Sequence, residues 1–397
     1  MRLGRVPALV CAALAITLTG ACSSTSSGIA ASKATASSSA GDSCTDTGSS
    51  QPPAAPPAAA SQGEPSAGAP GSSVGPGGLA QAMKGFGKTV KPIDDSTSTV
   101  LDTKGQRLVT CETSSVKVTT KKDVTFSTVT TRYGDKQQLK LDLLIPQGSG
   151  DKPLVVYIPG GGFHTPMKGG GATGVQTYLA QQGYAVASIV YRGLEDGIYS
   201  DAVVDAKSAI RFLRAHANEY GYDAANVAVW GQSAGGWLAA MVGTTNGVKK
   251  FDKGANLDQS SDVQAVVDEY GLSDLTKVGA DFDEAAEKEH QTATITEAQF
   301  VNGKNSGKTI AADPAAAKAA NPINYIDGED PAFMLAHGSA DNIVSPSQTL
   351  LLHTALRKAG VSSNRYVIEG EGHGAAGFNT VLYMTKMVGF LNKHIGK

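Results

Sequence analysis

The stretch VWGQSAGGW, residues 229–237, has the residue types of a nucleophile site. Gly231, Ser233 and Gly235 form G-x-S-x-G between an apolar run that reads as a strand and a small-residue run that reads as a helix. A serine on such a turn sits at strained backbone angles, so its close neighbours must lack bulk, and its hydroxyl is lifted toward the positive end of the helix. A serine hydroxyl is a weak nucleophile near neutral pH. It needs a base, and the base needs an orienting acid. For a strand–serine–helix unit the chain order is Ser, then Asp or Glu, then His. AHGSADNIVSP supplies Asp341 in a loop after a buried run, and IEGEGHGAAGF supplies His373 between Gly372 and Gly374 after the last such run.

Other histidines and acids fit less well. His337 directly follows strand residues and is assigned to shaping the turn. His353 and His394 fall in helices, and His216 and His290 have no motif around them. Glu369 and Glu371 lie beside His373 in sequence, but chain neighbours rarely aim at each other. YIPGGGF (157–163) has the glycine content of an anion-holding loop, with Pro159 in front of the glycines. There is no H-E-x-x-H and no paired Cys/His spacing, so no metal is expected. GGGATG (169–174) lacks the G-x-x-x-x-G-K-[ST] pattern and reads as a flexible loop beside the site, so no cofactor is expected either.

The elements that position these residues alternate. VKVTTKKDVTFSTVTTRYG (116–134) and LKLDLLIP (139–146) read as an antiparallel pair at a sheet edge. LVVYIP (154–159), YAVASIVY (184–191), NVAVWG (226–231), VQAVVDEYG (263–271), AFMLAHG (332–338) and NRYVIEG (364–370) have the continuous apolar character of strands buried on both faces. Helical patterns stand between them at 175–183, 201–221, 234–243 and 345–360, the last with Ser345 as its N-cap and Gly360 as its stop, and a final helix closes the chain at 378–395. Strands alternating with helices mean an α/β protein with a mostly parallel, doubly wound sheet. Residues 272–325 interrupt the rhythm. They are polar and Ala-rich, and an insertion there would cap the edge at which open α/β sheets bind ligands.

The chain of 397 residues carries a formal charge of −2, which points to no nucleic-acid partner. Arg2 and Arg5 precede the apolar stretch VPALVCAALAITLTG, which is short for a membrane span and reads as an export signal over 1–21. It ends at LTGAC, which resembles a bacterial lipobox with Thr19 where Leu is usual, so Cys22 is the expected lipidation site. Residues 22–114 follow as a Ser/Ala/Gly/Pro-rich tether with mixed composition and partial order from about 85, and a single domain is expected from Ser115 to Lys397. The chain would then be exported and held at the outer face of the cell membrane by its lipid alone, or else secreted. In that oxidising compartment Cys44 and Cys111 can pair.

With these motifs in place, the chain from about Leu139 to its C-terminus resembles the α/β-hydrolase superfamily, in particular its hormone-sensitive-lipase-like and feruloyl-esterase-like esterases. The resemblance rests on YIPGGGF, VYRG, DAKSAIRFLRAHANEYGYDAANVAVWGQSAGG, EDPAFMLAHGSADNIVSPSQ and GEGHG in that order. It implies the α/β-hydrolase fold with an inserted cap. It further implies a triad of Ser233 as nucleophile, His373 as general base and acid and Asp341 as orienting acid, and an acyl-enzyme resolved by water. The backbone N–H groups of Gly160, Gly161 and Ala234 would form the oxyanion hole, and the substrate would be a small-molecule or polysaccharide-linked acyl ester. Two features depart from the pattern. Pro159 stands where the motif begins with histidine, and GLEDGIYSD after Arg192 lacks a proline-rich run. The same triad also serves peptidases and amidases, and Pro159 is the sequence feature that would suit a non-catalytic binding lipoprotein on this scaffold.

Overall fold

The computed structural model describes residues 96–396, apart from 112–113, 165, 167 and 169–171. The export segment 1–21, Cys22, most of the tether with Cys44, and the glycines at 169–171 lie outside the described residues.

Nine strands make one sheet: β1 (Thr99–Leu101), β2 (Val118–Thr130), β3 (Lys136–Pro146), β4 (Pro153–Ile158), β5 (Ala185–Ile189), β6 (Asp223–Gln232), β7 (Ala265–Glu269), β8 (Ala332–Gly338) and β9 (Ser363–Ile368). Their order across the sheet is β1-β9-β8-β7-β6-β4-β5-β3-β2. The β2–β3 and β3–β5 pairs are antiparallel and every other neighbouring pair is parallel. The expected antiparallel pair at one edge is therefore present, followed by a parallel run.

The apolar runs are continuous because each strand is covered twice. Leu154, Val156 and Ile158 of β4 face a core shared with α2 (Tyr199–Ala215) and α4 (Ala234–Thr244). Val155 and Tyr157, on the other pleat, face a core shared with α1 (Thr173–Gln181) and α9 (Val381–Ile395). Full burial of one such side chain stabilises the fold by about 1.5–3 kcal/mol, so an alternating polar pattern would leave one helical layer without a surface to cover. The chain runs from β4 outward to β5 and returns across it to β6. The loops leaving β4 and β6 consequently open side by side at the carboxyl edge, the place where such sheets hold ligands.

Several elements differ from the sequence expectation. The helical pattern at 201–221 divides at His216 into α2 and a short α3 (Ala217–Tyr220), ended by Gly221 at φ 78°. The helix expected at 345–360 is α8, which spans Ser347–Lys358. It starts after Pro346, so Ser345 is not its N-cap, although the Ser345 hydroxyl still accepts from the Ser347 amide at 3.2 Å. Gly360 at φ 84° does follow its end. The ordered domain also begins ahead of Ser115. β1 pairs with β9 in the register Thr99–Tyr366 and Leu101–Ile368, and Val109 donates to the Asn379 carbonyl. Cys111 is disulfide-bonded.

Between β7 and β8 the insertion folds as short helices, α5 (Glu284–Glu289), α6 (Thr296–Asn302) and α7 (Pro314–Ala319), with 3-10 turns between them. Caps hold them: Asp283 accepts from Ala286 N–H and Asp313 from Ala316 N–H, each at 3.0 Å. No helix among the described residues is long and apolar enough to cross a membrane.

Candidate active site

β6 delivers Ser233, which sits between strand and helix with φ 56° and ψ −120°. Two glycines make that geometry possible. A Cβ on Gly231 would lie 2.0 Å from the Gly235 carbonyl oxygen, and one on Gly235 would lie 2.0 Å from that of Ile158. The Ser233 amide donates to the Glu269 carbonyl at 2.9 Å, which ties the turn to the end of β7.

The structure brings the three expected side chains together. Ser233 Oγ lies 2.9 Å from His373 Nε2, and His373 Nδ1 lies 2.8 Å from Asp341 Oδ2. His373 hangs on the loop after β9, where Gly374 takes φ 63°. Asp341 hangs on the loop after β8 and is fully buried. Its other oxygen, Oδ1, accepts from the amides of Ile343 at 2.9 Å and Val344 at 3.0 Å. Burial alone would raise the Asp341 carboxyl, but hydrogen bonds from His337 and His373, with the charges beside them, outweigh it and hold the group well below the ordinary carboxylate range. An ionised Asp341 fixes the proton of a neutral His373 on Nδ1 and leaves Nε2 free to accept from Ser233.

The loop after β4 closes against the same serine. A Cβ on Gly160 would stand 3.2 Å from Ser233 Cβ, and Gly161 and Gly162 take φ 132° and 57°. The amides of Gly160, Gly161 and Ala234 take part in none of the turn and loop hydrogen bonds among the described residues. Pro159 lacks only its own N–H. Its carbonyl accepts from the buried Tyr191 hydroxyl at 3.0 Å, which braces the loop. The neighbouring Arg192 forms a two-pronged ion pair with buried Asp205, from Nε and Nη2, both at 2.8 Å. Beyond the glycines, Phe163 stacks on Phe300 of α6 at 4.6 Å and meets Trp237 edge-on at 5.4 Å. Trp237 Nε1 donates to the Ala320 carbonyl at 2.8 Å. The insertion thus packs on both the glycine loop and the helix that follows Ser233.

The rival residues lie elsewhere. His216 Nδ1 meets the Phe212 carbonyl, His353 bridges Ser363 and Thr97, and His394 packs on Phe390. His290 packs near Phe282 in the insertion. The Glu371 carbonyl accepts from Ala340 N–H, and its carboxylate faces Thr103 rather than His373. His337 does hold the turn, but it also reaches Asp341.

Sequence reasoning missed several residues around the site. The Tyr270 ring lies edge-on to His373 at 4.7 Å, with Tyr270 itself at φ 47°. Glu269 is fully buried and accepts from Gln232 Nε2 and the Tyr383 hydroxyl, both at 2.7 Å, while Tyr157 donates to Gln232 Oε1 at 2.8 Å. Burial raises the carboxyls of Glu269 and its neighbour Asp268 to about 7. Asp268 Oδ1 accepts from Gly271 N–H at 2.9 Å, and Oδ2 has no hydrogen-bond partner among the described residues. The signal was present in the sequence: two adjacent acids inside the apolar run VQAVVDEYG. No group of three His, Cys, Asp or Glu side chains among the described residues is placed to hold a metal ion.

Comparison with known proteins agrees with this architecture. The BD-FAE family model matches residues 141–356, more than half of the chain. Esterase LipC of Mycobacterium tuberculosis is 30% identical over 61% of this chain and 58% of its own length. From the same organism, a probable carboxylic ester hydrolase, LipM, is 29% identical over 50% of this chain and 44% of its own. The chain therefore spans about half the length of the curated relatives it matches. Among solved structures, a truncated carbohydrate esterase from gut microbiota is 26% identical with a TM-score of 0.59, covering 69% of this chain and 95% of that one. An esterase from the Planctomycetes species Thermogutta terrifontis, at 24% identity and a TM-score of 0.52, shares the fold. The fold is that of the α/β-hydrolases.

Proposed function

This chain belongs to the BD-FAE family, and from that premise we propose that it hydrolyses carboxylic esters through an acyl-enzyme on Ser233. The observation that carries the reading is the relay itself: Ser233 Oγ, His373 and Asp341 in line at 2.9 and 2.8 Å, at a serine held at φ 56°.

In the proposed reaction Ser233 Oγ attacks the acyl carbonyl carbon as its proton passes to His373 Nε2. The carbonyl oxygen becomes an anion and accepts from the amides of Gly160, Gly161 and Ala234, which would stabilise the charge as it forms. His373 returns the proton to the departing alcohol as the tetrahedral intermediate collapses to the acyl-enzyme. Water then enters, gives its proton to His373, and attacks the acyl carbon. The acid leaves as Ser233 regains its proton. Asp341 stays ionised throughout and offsets the charge that forms on His373.

The substrate class we propose is a small or polysaccharide-linked acyl ester. Its support is the likeness to a carbohydrate esterase from gut microbiota and to Esterase LipC. Export as a lipoprotein modified at Cys22 is part of the proposal and rests on residues 1–22 alone. Metabolic labelling with a fatty acid tests it, and Cys22→Ala should remove the label. For the activity, purified protein should turn over a short-chain p-nitrophenyl ester, and Ser233→Ala should abolish turnover.

A further inference from the structure

His337 stands four residues before Asp341 and is fully buried at the end of β8. Its Nε2 lies 2.9 Å from the Val344 carbonyl oxygen and 3.2 Å from Asp341 Oδ2. Both neighbours accept, so Nε2 carries the proton. Nδ1 is then a lone pair, and it accepts from the Thr349 hydroxyl at 3.0 Å. Thr349 Oγ1 in turn accepts from Arg365 Nε at 3.0 Å; its hydroxyl also lies 3.2 Å from the Pro346 carbonyl, which accepts from Arg365 Nη2 at 2.8 Å, and the His337 lone pair is the nearer of its two acceptors. The donors run in one direction, Arg365 to Thr349 to His337 to Asp341.

We propose that His337 is a positioning residue for the reaction, acting through Asp341: it supplies a neutral N–H to the same carboxylate oxygen that receives His373. The inference rests on the esterase reading above. Its logic is geometric. Two amides fix Asp341 Oδ1, and His337 reaches from the end of the strand to Oδ2, the oxygen that faces His373. A carboxylate anchored at both oxygens cannot turn about its own axis, so the His373 ring is held toward Ser233. The contact is not an ion pair but the longer arm of an N–H shared with the Val344 carbonyl, because burial, reinforced by the Arg365 charge, keeps His337 in its neutral form despite Asp341. The charged and titratable groups that face it are Asp341 and Arg365, with His373 across the carboxylate.

The test compares His337→Leu, which removes the donor, with His337→Gln, which retains an N–H donor, and with Thr349→Val, which breaks the chain one step earlier and keeps the imidazole. Each is assayed with a short-chain p-nitrophenyl ester, and active sites are counted by fluorophosphonate labelling of Ser233. His337→Leu should lower kcat per labelled site roughly 10- to 100-fold with KM little changed, and His337→Gln should recover most of that loss. Thr349→Val should give a smaller fall in the same direction. With the donor gone, more of the Asp341 charge acts on His373, so the acidic limb of kcat/KM should move to higher pH in His337→Leu. Wild-type kcat per labelled site and an unmoved acidic limb in both His337→Leu and Thr349→Val would overturn the proposal, as would a Gln variant no better than Leu. If His337→Leu does not fold, the Gln and Val variants decide by the same criteria. A wild-type protein that is neither labelled nor active would instead contradict the esterase reading.

Discussion

Replacing Gly160 by alanine tests the glycine loop at its tightest point. The added Cβ would stand 2.8 Å from the Gln232 carbonyl oxygen and 3.2 Å from Ser233 Cβ. The first contact is roughly 0.6 Å short of an ordinary van der Waals separation, and neither neighbour is the free end of a flexible side chain. Relief must come from the loop or from the serine turn, and either one changes the distance between the Gly160 and Gly161 amides and the carbon attacked by Ser233. Losing one oxyanion donor lowers kcat by about 100- to 1,000-fold, and a shift on this scale spoils one donor without removing it, so a fall of about 100-fold is expected. The overpacking should cost about 1–3 kcal/mol of stability, leaving a folded protein with a lowered Tm. The assay is kcat and KM on p-nitrophenyl acetate, with circular dichroism as the check on folding. KM should change far less than kcat, because the donors act on charge that develops after binding. A folded Gly160→Ala enzyme with kcat within about threefold of wild type would refute the assignment of these amides.

Tyr191→Phe removes the hydroxyl that braces the Pro159 carbonyl; it should cost about 1 kcal/mol in chemical denaturation and lower kcat up to about tenfold, and unchanged values in both would show that the brace is idle. The buried carboxyls of Asp268 and Glu269 make stability depend on pH. Burial raises both to about 7 from ordinary values of 3.8 and 4.5, so the folded state holds protons that the unfolded chain has released. Their stabilisation is therefore complete below about pH 4 and is lost as pH rises to about 7, and unfolding free energy should fall by roughly 1–3 kcal/mol per pH unit between 5 and 7. Asp268→Asn should flatten that slope, and a slope identical to wild type would contradict the account. Asp341, held down rather than raised, acts in the opposite sense, its stabilisation being lost only in more strongly acid solution.

What was legible in the sequence follows from what local pattern encodes. AFMLAHG at 332–338 coincides with β8 because a parallel strand covered on both faces leaves an unbroken apolar run with sharp ends. Ser233, Asp341 and His373 were legible because each stands beside glycines or at the end of such a run, and their order is fixed by the fold. β1 was not legible: three residues, Thr99–Leu101, have no periodicity, and their partner is β9, far along the chain. Tyr191, Tyr270 and His337 escaped for a related reason. Tyr191 and Tyr270 each act on a residue of a separate strand–loop unit that the sheet order brings near, Pro159 and His373, whereas His337 meets Asp341 four residues on only through the fold of the turn between them. Ser345 was misplaced because Pro346 takes the position before the helix, leaving the hydroxyl to the turn and to Asp281.

The most direct test of the central claim combines labelling and turnover on one preparation. Purified protein treated with a fluorophosphonate should gain a single adduct by intact mass, peptide mapping should place it on Ser233, and hydrolysis of a short-chain p-nitrophenyl ester should vanish in proportion to labelling. Ser233→Ala should show neither adduct nor turnover. Ester hydrolysis persisting in Ser233→Ala at the wild-type rate would contradict the account.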